Sequence, residues 1–85
     1  MRHGTELDPQ ALRDEAAAAI EDSDHFQADV ARELDVHRSA VSRAVKEVSP
    51  NFQKLQRRII ELLTPYELDW KPRWKARRVD RTDTE

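Results

Sequence analysis

Gln27-Ala28-Asp29-Val30-Ala31-Arg32-Glu33-Leu34-Asp35-Val36-His37-Arg38-Ser39-Ala40-Val41-Ser42-Arg43-Ala44-Val45 carries the strongest structural pattern in the chain. Its apolar residues fall into two short helical registers. In the first, Phe26, Val30, Ala31 and Leu34 share one helix face; in the second, Val41, Ala44, Val45 and Val48 do the same. Asp35-Val36-His37 joins them. Two short helices linked so closely meet at a steep angle, and each interior position then carries a strict demand. Ala31 lies at the crossing, where a larger side chain would push the helices apart. Leu34 and Val36 fill the corner on either side of the turn, and Val41 and Ala44 close it from the second helix. Asp35 occupies the tight turn, where a left-handed backbone is common; Gly is the usual choice and Asp is tolerated. The side chains left over, Arg38, Ser39, Ser42, Arg43 and Lys46, point outward. None of them is acidic, in a chain with 17 Asp and Glu residues.

Outward from this stretch the pattern stays helical. Asp8-Pro9 is a start signal, with Asp8 able to accept a free backbone N–H and Pro9 suited to the first helical position. A first helix is predicted from Pro9 to Glu21, with Leu12, Ala16, Ala19 and Ile20 inward. Asp24 followed three residues later by Gln27 reads as a capping box, which starts a second helix at His25 and ends it at Leu34. A third runs from Arg38 to Val48. Ser49-Pro50 opens a fourth, to Leu63, with Phe52, Leu55, Ile59, Leu62 and Leu63 apolar and Ile60 surplus to a single stripe. Thr64-Pro65 ends it. Tyr66, Leu68 and Trp70 then alternate with Glu67, Asp69 and Lys71, a strand-like period of two. A short hairpin turning at Lys71-Pro72, or a last helical turn from Pro72, both fit, and the extended form is favoured. The expected architecture is an all-α, four-helix domain over residues 8–65. A basic aromatic segment, 66–79, packs on it as an extended strand or short β-hairpin, between disordered ends at 1–7 and 80–85.

Composition narrows the function. Eighty-five residues make one domain. The lack of cysteine removes disulfides and Cys-based zinc fingers. A single glycine, Gly4, removes P-loops and Rossmann turns, which need several. His25 and His37 are too isolated for a metal site, which needs converging ligands. Neither a carboxylate cluster nor an activated nucleophile is evident, so no catalysis, cofactor or small-molecule effector is expected. No apolar run approaches the roughly 20 residues of a membrane span, and the N-terminus lacks a secretory apolar stretch; a cytoplasmic protein without membrane contact is the expectation.

The net charge is −2, but it is unevenly spread. Residues 1–35 hold ten acids and three bases, whereas residues 70–81 hold six bases and one acid. Such asymmetry suggests one side that faces a polyanion.

The central stretch resembles the helix-turn-helix DNA-binding proteins of the bacterial and archaeal repressor type. The matching residues are Val30-Ala31, Leu34-Asp35-Val36 and Ala40-Val41-Ser42-Arg43-Ala44-Val45. The last run is similar to the Thr-Val-Ser-Arg pattern of recognition helices, with Ala40 in place of Thr. The likeness spans about 22 residues, from Gln27 to Val48, and depends on seven or eight positions agreeing together. Asp35 departs from the usual turn Gly. His37 departs from the Ser or Thr that caps the recognition helix.

The resemblance implies a sequence-specific, double-stranded DNA-binding transcriptional regulator, with the helix 38–48 in the major groove. Arg38, Ser39 and Ser42 would read base edges, and Arg43 would reach a guanine or clamp a phosphate. Lys46, Gln27 and His37 would contact phosphates. The interleaving of cations and tryptophans in 70–78 makes Lys71, Arg73, Lys75, Arg77 and Arg78 a candidate phosphate-contacting arm. Aromatics capping the core beneath solvated cations is the plainer alternative. A unit this small reads few base pairs alone, which implies a homodimer on two half-sites, through the first or fourth helix. The competing readings are a protein-interaction module on the same fold, and a DNA-binding accessory of recombination or replication.

Overall fold

Helix α1 (Pro9–Asp22) starts where the sequence places it, because the Asp8 carboxylate accepts the Ala11 N–H at 2.7 Å. The computed structural model of the chain describes residues 3–70 and 74–79. After α1 come α2 (Gln27–Leu34), α3 (Arg38–Ala44), a short 3-10 turn (Pro50–Phe52) and α4 (Gln53–Leu63). Strands β2 (Tyr66–Trp70) and β3 (Trp74–Arg78) follow, and a two-residue strand, β1 (Glu6–Leu7), precedes α1.

The strands overturn the all-α expectation. The protein is mixed α/β, with four α-helices and a three-stranded antiparallel sheet of order β1-β3-β2 among the described residues. The hairpin brings Leu68, Trp74 and Ala76 onto one apolar face, all buried. Two strands alone leave β3 with an open edge, and an isolated hairpin is marginal in water. Residues 3–7, expected to be disordered, close that edge. The Gly4 N–H donates to the Ala76 carbonyl and the Ala76 N–H to the Thr5 carbonyl, both at 2.8 Å. The Arg78 N–H donates to Nδ1 of His3 at 3.1 Å. Leu7, paired with Trp74, is then buried with the sheet. The expected disordered tail, 80–85, lies outside the described residues.

Helix α4 is the platform. It packs on α1, α2, α3 and β2, so it buries more than one face. That explains Ile60: surplus to one stripe, it is fully buried, as is Ile59. Neither is available to the dimer surface considered for the fourth helix. Leu62, one of the apolar positions of this helix, is 41% exposed.

Among the described residues, no helix is long and apolar enough to cross a membrane.

Candidate nucleic-acid interface

Two helices joined by a three-residue turn occupy the predicted place. Val30, Ala31, Leu34, Val41 and Ala44 are buried together, and Val36 packs against them half-buried. Asp35 holds φ 57° and ψ 49°, the left-handed conformation the turn requires. For a residue with a Cβ this costs about 1 kcal/mol, and Asp is among the residues that bear it best. The Val36 N–H donates to the Ala31 carbonyl at 3.0 Å and closes the turn.

Helix α4 braces both ends of this unit through two residues that sequence periodicity missed. Arg58 donates to the Leu34 carbonyl at 2.9 Å, placing a cation on the C-terminal end of α2. Gln56 is 1% exposed, and its amide donates to the carbonyls of Ala44 (2.7 Å) and Glu47 (3.1 Å). Gln56 therefore takes up the free carbonyls where α3 stops. The helix ends at Ala44, not at Val48 as the pattern predicted, and Val48 is 49% exposed rather than inward. From α1, Arg13 donates to the Lys46 carbonyl at 2.9 Å and holds the chain beyond α3.

The start of α2 also shifts. Its cap is Phe26, not Asp24: the Phe26 N–H donates to the Asp29 carboxylate at 2.9 Å. Asp29 also binds Arg32 at 2.7 Å. Phe26, grouped by periodicity with the apolar face of this helix, stands 78% exposed because it falls just outside the helix. An acid three residues after Phe26 was the signal that would have placed the cap there.

The backbone bond from Phe26, and then Arg32, hold the Asp29 carboxyl below the ordinary carboxylate range. A depressed folded pKa gives stabilisation that is complete above the unfolded value of about 3.9 and is lost as pH falls through the folded value. The first turn of α2 is therefore expected to fray in acid below about pH 4. The protection factor of the Phe26 amide checks this: it should fall there in the wild type, and the fall should be absent in Asp29→Asn. A wild-type protection factor that does not change with pH would contradict the cap.

The predicted contact residues fall into two groups. His37, Arg38, Ser39, Arg43 and Lys46 are exposed, and Ser42 and Gln27 are half-buried. Arg38 meets Gln27, Ala28 and Phe26 in an open groove between the starts of α2 and α3. Arg38 has no ion pair among the described residues, and α3 carries no acid. His37 caps α3 without a side-chain hydrogen bond. Arg43 differs: its guanidinium binds Glu47 at 3.0 Å and lies 5.2 Å from the centre of the Phe52 ring. It is oriented, and its charge is partly answered inside the molecule.

The basic arm resolves unevenly. Trp74 points inward, as the plainer alternative held, and donates its indole N–H to Gln53 at 3.1 Å. Arg77 bonds Glu67 (2.6 Å) and Asp69 (3.3 Å) across the hairpin. Lys75 stands in register between Glu6 and Asp69. The outward face of the sheet is therefore a ladder of both signs, and Arg77 is not a free phosphate ligand. Arg78 is exposed. Lys71 and Arg73 lie outside the described residues. Among the described residues, no group of His, Asp and Glu is arranged to hold a metal ion.

Compared with known protein families, curated proteins and solved structures, the chain matches none of them.

Proposed function

We propose that this chain binds double-stranded DNA sequence-specifically, as a transcriptional regulator, with α3 in the major groove and the start of α2 against the backbone. The observation that carries the reading is Arg38. It is exposed and without an ion pair among the described residues, on a helix whose opposite face is locked by buried Val41 and Ala44. Ser39 and His37 are exposed beside it, and Gln27 shares its groove. Arg38, Ser39 and Ser42 read base edges; Gln27, His37 and Lys46 meet phosphates. Arg43, held by Glu47, contributes orientation more than charge. A homodimer on two half-sites supplies the length of recognition that one copy lacks.

A second reading has its own support. Arg43 and Arg77 are both answered by acids of the same chain, as suits a protein-binding surface. Selection from a random duplex pool, followed by salt titration, separates the two. A DNA reader enriches a motif with paired half-sites, and its affinity falls steeply with salt. A pool that stays random, or binding indifferent to salt, supports the protein partner instead.

A further inference from the structure

Phe26 is the most exposed large apolar side chain among the described residues, and its backbone is fixed. The Asp29 carboxylate holds its N–H, at φ −95° and ψ 165°. Phe26 lines the groove that also holds Gln27, Ala28 and Arg38. With Gln27 it also lines a second hollow, whose charged residues include Glu21 and Asp24. Phe26 thus stands between the Arg38 cation and two carboxylates. A phosphate is favoured on the Arg38 side and repelled on the other. The part of a DNA backbone that tolerates such a border is uncharged and apolar: the deoxyribose.

We infer that Phe26 packs against a deoxyribose of the strand whose phosphates meet Gln27, as an apolar, sequence-independent anchor at the edge of the footprint. The inference rests on the DNA-binding reading above. It differs from the other contacts in kind, since covering a ring releases no counterions. Phe26→Ala should therefore weaken binding equally at every salt concentration and leave the salt slope unchanged, whereas loss of a phosphate contact flattens it.

Covering roughly half of a phenyl ring corresponds to about a 5- to 10-fold change in affinity. The test measures wild type, Phe26→Ala and Phe26→Leu on a selected duplex and on a scrambled duplex over a range of salt. The expected result is a parallel 5- to 10-fold loss on both duplexes for Phe26→Ala, and a smaller one for Phe26→Leu. Unfolding midpoints should match the wild type, because the ring is not in the core. Affinity unchanged within about twofold overturns the inference while leaving DNA binding intact. So does a loss that coincides with a changed oligomeric state in DNA-free protein, which would make Phe26 a contact between copies. Wild-type protein that binds neither duplex overturns the DNA reading itself.

Discussion

Arg38→Glu is expected to weaken binding to a selected duplex by about 100-fold or more, with no change in the unfolding midpoint. The size follows from two additive losses. A good bidentate base contact contributes about 1–3 kcal/mol of discrimination. The new carboxylate also sits where a phosphate or base acceptor must approach, and repels it. Stability should hold because Arg38 is exposed and has no ion pair among the described residues to lose. Fluorescence anisotropy and thermal unfolding check the two halves separately. Arg43→Gln should cost less affinity, since Glu47 already answers its charge. The reverse order of effects would move the reading centre from the front of α3 to its end.

The largest stability effect outside the apolar core is expected at Gln56. Gln56→Ala removes a fully packed side chain and strips two carbonyls, at Ala44 and Glu47, of their donor. A cavity of this size together with buried, unsatisfied acceptors costs about 2–4 kcal/mol. For a domain of this length that lowers the midpoint by roughly 10–25 °C. Gln56→Met refills the volume but not the hydrogen bonds, and should recover only part of the loss. Full recovery by Met would mean that packing alone, and not the end of α3, depends on this residue. Since Gln56 fixes where α3 stops, its loss should also loosen the residues that follow Ala44, visible as faster amide exchange from Val45 to Ser49.

These two residues mark what the sequence made legible and what it did not. Interior positions of α2 and α3 were readable because a tight turn between short helices leaves few ways to bury Val30, Ala31, Leu34, Val41 and Ala44. Arg38 and Ser39 followed as the remainder of that pattern. Gln56 was not readable, because a polar residue on a helix ordinarily faces water; only its buried position reveals the bond it makes. The end of α3 was missed for a related reason. Val45 and Val48 continue the helical period, yet the chain leaves the helix at Ala44 and Gln56 supplies the missing donors. Phe26 misled in the opposite direction, since it fits the periodicity of α2 but lies one residue outside it. Strand β1 had no local signal at all. Two residues carry no pattern, and their partner, β3, lies near the other end of the chain. The hairpin was half-visible in the alternation from Tyr66 to Trp70. Its consequence, an apolar sheet face whose Leu7, Leu68, Trp74 and Ala76 join Ile60 in one core, depends on tertiary packing.

The basic C-terminal segment shows why charge counts mislead. Its cations are numerous in the sequence, yet Arg77 meets Glu67 and Asp69 at bonding distance and Lys75 lies in register with two acids. A two-residue alternation that places cations on one face of β3 also places the acids of β2 on that same face. Net positive charge in a window is then no guide to free positive charge on the surface.

In the proposed complex the face of α3 bearing Arg38 and Ser39 meets DNA while the acidic α1 stays clear. Backbone amide shifts recorded while a selected duplex is titrated into labelled protein distinguish this orientation from any other. The largest changes are expected at Phe26, Gln27 and from His37 to Ser42, with Asp14, Glu21 and the outward residues of the sheet nearly still. Changes centred on α1 or on the sheet, with Arg38 and Ser39 unmoved, would contradict it.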